Sequence, residues 1–177
     1  MSDFLLENFS LSNKLKYAVV VLCALNAFVQ KDDFLKKAAF AATLFADFFI
    51  IFTDIYSVGV TVFCAAHIFY FLRNVRDVKK LKIYIVFLFV FLTVLIFAGY
   101  LNAIAAFYAL CLLNNFFSSF RAGKTIFVAA LLFVLCDVFV LAYNLPRPVS
   151  AAGLIIWIFY APSQLLYSIS ELRNTER

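Results

Sequence analysis

Charge is what this chain has least of. Only 14% of its 177 residues are Asp, Glu, Lys or Arg, while 66% are hydrophobic. A soluble domain keeps roughly a quarter of its residues charged, so the deficit excludes a free-standing soluble globule. Glycine and proline are scarce, at 4 and 3 residues, and little interrupts long helices. The four cysteines, Cys23, Cys64, Cys111 and Cys136, show no paired spacing. They read as small apolar residues at helix contacts rather than as disulfide partners or metal ligands. Histidine occurs once, at His67. One imidazole argues against a catalytic zinc, which usually takes three protein ligands. No HExxH pattern, nucleophile elbow or Gly-rich phosphate loop is present. No metal and no other cofactor is expected.

Long apolar runs are what the sequence does have. Charged or turn-like breaks separate blocks near 16–30, 38–53, 56–72, 83–99, 101–118, 125–144 and 150–170. The 83–118 run exceeds the roughly 20 residues of one membrane-crossing helix, and Gly99, Tyr100, Leu101 and Asn102 offer a hairpin within it. The expectation is an all-α, polytopic transmembrane bundle of about seven helices. It divides into a polar N-terminal segment 1–15, a single transmembrane domain 16–171 and a tail 172–177. The opening MSDFLLENFSLSNKLK carries no cleavable signal pattern.

Basic residues test the count. Seven spans put Lys14, Lys16 and Arg147 on one side. The other side receives Lys31, Lys36, Lys37, Arg73, Arg76, Lys79, Lys80, Lys82, Arg121, Lys124, Arg173 and Arg177. Such an imbalance places the N-terminus outside and the C-terminus in the cytoplasm. The net charge of +5 then reflects basic loops, not a nucleic-acid partner. A multi-pass protein of the plasma membrane is expected.

Ionisable groups within the spans are few: Asp47, His67 and Asp137, with Asp54 near a span end. Such groups are costly in a bilayer and mark function or pairing. Uncharged polar residues recur at helical spacing. One face of the last span carries Trp157, Tyr160, Gln164, Tyr167 and Glu171; the fifth carries Tyr108, Cys111, Asn115 and Ser118. Cys23, Asn26 and Gln30 share a face, as do Thr43, Asp47 and Asp54, and Gly59, Phe63, His67 and Tyr70. The fourth span offers only Tyr84 and Thr93 and should lie against lipid. These stripes imply a polar pocket with an aromatic lining, suited to an amphiphile. Isolated Asn or Thr residues in such helices often only bridge neighbours, for about 1 kcal/mol or less. In low dielectric, one carboxyl can hold its proton near neutrality while a partner acts as base, with His67 relaying or tuning.

The segment LFADFFIIFTDIYSVGVTVFCAAHIFY resembles the Gly-Asp, then Gly-x3-Phe-x3-His-x2-Tyr pattern of the YhhN family of lysoplasmalogenase-like membrane proteins, with Asp47, Gly59, Phe63, His67 and Tyr70 in place. LFVLCDVFVLAYN resembles its Phe-x2-Ser-Asp segment through Phe133 and Asp137, and IWIFYAPSQLLYSIS its Tyr-x2-3-Gln ending through Tyr160 and Gln164. The resemblance runs from about residue 36 to 170. Ala46 stands where the family usually has Gly, Cys136 where it has Ser, and Asn114 and Asn115 where it tends to carry a Met-containing stretch. Relatives are often described with eight spans.

The resemblance implies hydrolysis of the vinyl ether bond of a lysoplasmalogen, releasing a fatty aldehyde and a glycerophospho-alcohol. It implies Asp47 and Asp137 as the acid/base pair and His67 as the group orienting a carboxyl or the water. Tyr70, Tyr160 and Gln164 would bind the polar part of the substrate, with Tyr108 and Asn115 also lining the site. Two other readings compete: a non-enzymatic lipid-binding protein or proton-coupled transporter, and a metal-dependent seven-helix hydrolase. Transporters often show paired halves with broken helices, and neither is visible here.

Overall fold

The structure, a computed structural model, describes residues 2–30, 33–53, 55–144 and 152–172. These form α1 (Ser2–Val29), α2 (Phe34–Phe52), α3 (Tyr56–Val75), α4 (Ile83–Ala98), α5 (Tyr100–Ala122), α6 (Lys124–Tyr143) and α7 (Ala152–Ile169), with a 3-10 turn over Val78–Lys82. The described residues contain no strand. Asp54, Lys31, Arg147, Arg173 and Arg177 lie outside them.

Seven helices are the expected number, and the 83–118 run divides where the hairpin was expected. Gly99 closes α4 and opens α5 at φ +84°, a left-handed conformation that costs glycine little. Among the described residues, four stretches are long and apolar enough to cross a membrane: Tyr56–Val75, Val78–Ala98, Tyr100–Ala122 and Lys124–Tyr143. Ile155–Ile169 is apolar but shorter, while α1 and α2 carry Lys14 and Lys16, and Lys36, Lys37 and Asp47, within their length.

The helices pack in sequence around a ring. The pairs α1–α2, α2–α3, α3–α5, α5–α6, α6–α7 and α7–α1 are all in contact, which closes six helices on themselves. Helix α4 stands outside and packs chiefly on α5. Phe87 is its one buried residue, so its apolar surface faces outward as its sequence implied. Small residues set the close approaches. A Cβ on Gly59 would lie 2.5 Å from Ile50 Cγ1 and 3.0 Å from the Ala46 carbonyl, so Gly59 serves the α2–α3 seam rather than a pocket. On α1 the inward face is Val20, Cys23, Ala24 and Ala27, at i, i+3, i+4 and i+7. Asn26, expected inward, is exposed and reaches Ser168 Oγ from the edge at 3.2 Å.

Candidate active site

Six helices around a common axis let polar side chains meet across the interior, and two clusters form there. In the first, the Tyr160 hydroxyl of α7 donates to Asp47 Oδ2 of α2 at 2.5 Å. Asp47 is 5% exposed. Behind Tyr160, Trp157 stands edge-on at 5.2 Å, and Lys16 Nζ lies 5.0 Å from the Trp157 ring centre. Cation–aromatic contact of this kind steadies a lysine whose surroundings are otherwise apolar.

The second cluster joins α3, α5, α6 and α7. His67, fully buried, has Nε2 3.4 Å from the Tyr108 hydroxyl, and that hydroxyl donates to Asp137 Oδ2 at 2.5 Å. On the other side of the ring, His67 Nδ1 lies 3.3 Å from Asn115 Nδ2. Asn115 also donates to the Tyr167 hydroxyl at 3.0 Å, and Tyr167 stacks on Tyr70 at 4.2 Å. Asp137 is half-buried. Both carboxyls lie near the Cys136 thiol.

The two clusters do not merge through the histidine. Sequence reasoning turned His67 toward both aspartates, but it reaches Asp137 only by way of Tyr108. The Phe133 ring fills the space between, 4.9 Å from His67 and 5.6 Å from Tyr160. A bulky α6 side chain one turn before Asp137 therefore divides the interior. Gln164 sits on α7 between Tyr160 and Tyr167, fully buried, with neither amide atom hydrogen-bonded to protein; the Tyr70 hydroxyl is likewise unpartnered. Groups left so are available to a water or a ligand's polar atoms. Among the described residues no three His, Cys, Asp or Glu side chains gather as metal ligands would.

The sequence model described as YhhN family matches residues 14–170. The chain belongs to the YhhN family. Comparison with curated proteins and with solved structures gives no significant match. The family includes lysoplasmalogenases, and of the family-like positions Asp47, His67, Asp137 and Tyr160 take part in the two clusters.

One YhhN-chain feature escaped sequence reasoning. At the end of the bundle where α2 begins and α3 and α7 finish, Arg73 and Lys36 are 1% and 2% exposed. Arg73 pairs with Asp33 through Nε and donates to Ser170 Oγ at 2.8 Å and to its carbonyl at 2.7 Å. Lys36 Nζ donates to Gln30 Oε1 and to the carbonyls of Ser168 and Ser170 at 3.3 and 3.1 Å. These cations satisfy carbonyls that α7 leaves free at its C-terminus. Lys36 reads in the sequence as an ordinary flanking lysine; the only available signal was its Asp-x-x-Lys spacing from the α2 cap, Asp33.

Proposed function

We propose that this protein is a membrane-embedded lipid hydrolase of the lysoplasmalogenase type. The observation that carries the reading is the pair of carboxyls facing the ring interior, each held by a tyrosine hydroxyl. They also lie at similar depth. Asp47 precedes the end of α2 by five residues and Asp137 the end of α6 by six, or about 8 and 9 Å at 1.5 Å per residue. Both distances run from the same rim, since α2 and α6 are parallel in the ring. That depth suits the ether linkage of a lipid whose headgroup stays at the membrane surface.

The chemistry needs only these groups and water. One carboxyl delivers its proton to the outer carbon of the vinyl ether, whose π electrons form the new C–H bond. The other, as carboxylate, steadies the resulting oxocarbenium ion and takes a proton from water as the water oxygen bonds to the carbon attached to the ether oxygen. The hemiacetal then collapses: its hydroxyl proton returns to the first carboxyl, and the second protonates the departing glycerol oxygen. Aldehyde and alcohol leave, and both carboxyls recover their starting states. Gln164 and Tyr70, with no protein partners, lie deeper in the ring than the carboxyls and are available to water.

The test is aldehyde release from a lysoplasmalogen by the purified protein in detergent. Asp47→Asn and Asp137→Asn each lower kcat by about 10²–10⁴-fold, the usual contribution of a positioned acid or base. A folded protein inert on vinyl ether lipids and on ordinary lysophospholipids alike ends the proposal.

A further inference from the structure

We infer that the two carboxyls are not equivalent: Asp137 is the carboxylate of the pair and Asp47 carries the proton. The difference comes from a hydrogen-bond chain whose direction is set at one backbone carbonyl. Ser118 Oγ donates to the Asn115 carbonyl at 2.7 Å, so toward Asn74 it can only accept. Asn74 Nδ2 donates to Ser118 Oγ at 3.0 Å and, with its second hydrogen, to Asn115 Oδ1 at 3.0 Å. The Asn115 amide is thereby oriented with its NH₂ group toward Tyr167 and His67 Nδ1. A nitrogen that receives a hydrogen bond carries no proton of its own. His67 is then neutral, with its single N–H on Nε2, and that N–H faces the Tyr108 oxygen. Tyr108 passes its own O–H to Asp137.

From Asn74 through Asn115, His67 and Tyr108, each residue passes one donor onward toward Asp137. A phenol that itself receives a hydrogen bond is a stronger donor, and donors to a carboxyl favour its charged form. Asp137 is also the less enclosed of the two, half-buried where Asp47 is 5% exposed. Asp47 has Tyr160 alone, and the groups around it, Cys136, Tyr17 and Tyr160, are neutral. Lys16 Nζ sits over the Trp157 ring, 5.0 Å from its centre, and forms no ion pair with Asp47. A buried carboxyl with one neutral donor keeps its proton at least cost. If the hydrolase reading holds, Asp47 protonates the vinyl carbon and Asp137 activates the water. Ser118, Asn74, Asn115, His67 and Tyr108 are positioning residues that hold that polarity.

Spectroscopy tests the assignment without substrate. His67 is the single histidine, so nitrogen NMR of the intact protein labelled with ¹⁵N-histidine reports on it unambiguously. The neutral Nε2–H tautomer is expected, and Asn115→Asp, which exchanges donor for acceptor, moves the proton to Nδ1. In infrared difference spectra at neutral pH, a protonated carboxyl band is expected that Asp47→Asn removes and Asp137→Asn leaves. A Nδ1–H or doubly protonated ring in the unsubstituted protein overturns the chain. A band removed by Asp137→Asn, by both changes or by neither overturns the assignment. Should either Asn variant fail to fold, Tyr160→Phe and Tyr108→Phe retain both carboxyls. The first shifts the band, the second adds another, and the opposite pattern refutes the proposal. If the spectra hold but no lipid is cleaved, the hydrolase reading fails while the protonation states stand.

Discussion

At the scale of single residues, tyrosines rather than the histidine connect the site. Tyr160 and Tyr108 each place one hydroxyl on one carboxyl, and each removal leaves a buried acceptor unmet at about 1–3 kcal/mol. In the hydrolase reading, Tyr108→Phe and His67→Gln act on the same line and are non-additive: the double variant loses about as much activity as the worse single one, measured as kcat in a double-mutant cycle. Tyr160→Phe lies on the separate Asp47 branch and multiplies with either. Additive losses for Tyr108 and His67 contradict the connected chain. Asp47, His67 and Asp137 were legible in the sequence because charge inside an apolar run stands out. Their grouping was not, because Phe133, one more aromatic among 24 phenylalanines, gives no sign that it separates His67 from Tyr160 and Asp47.

Helix pairs hold those residues at their working separation. Gly59 permits α2 and α3 to approach until its missing Cβ faces Ile50 and the Ala46 carbonyl. Gly59→Leu overpacks this seam beside Asp47, and a loss of about 1–3 kcal/mol appears as a lower thermal midpoint in detergent. The ion cluster acts at the opposite end. Asp33→Ala leaves Arg73 buried without its carboxylate, and breaking such a pair costs about 3–5 kcal/mol. Loss of folded protein, or a sharply lowered midpoint, is the expected result; an unchanged melt means that Ser170 alone suffices for Arg73. Periodicity revealed each helix and most buried faces. It could not reveal the clasp, since a lysine or arginine near a helix end ordinarily flanks the membrane, and only the finish of α7 beside α2 and α3 brings Lys36 and Arg73 to its carbonyls.

For the whole molecule, the ring explains why α4 is so apolar. A helix outside a closed ring has no polar interior to face, and a residue facing lipid has no use for hydrogen bonds. The same topology sets a sidedness. Asp47 and Asp137 lie toward the rim bearing the α2–α3, α4–α5 and α6–α7 connections, and the Lys36–Arg73 cluster occupies the other. The distribution of basic residues predicts that this second end faces the cytoplasm. A reporter fused after residue 177 should therefore be active on the cytoplasmic side, and a cysteine introduced at exposed Tyr100 should be labelled from outside by an impermeant reagent. Labelling at Tyr100 only in everted vesicles reverses the orientation.

By itself the sequence determined that the chain is helical, membrane-bound and broken at Gly99, because water and lipid act on each segment separately through its own composition. It also singled out the ionisable groups, because burying charge is costly wherever the fold places it. Which helices neighbour one another was decided only by the tertiary structure, since α1 and α7, far apart in the chain, complete the ring by packing. That closure brings Tyr160 to Asp47, and the packing of α3 on α5 brings Asn115 to His67, contacts that no local pattern encodes. The direction of the chain to Asp137 follows from the packing of α3, α5 and α6, because a hydrogen bond acquires its sense only from the partners on either side.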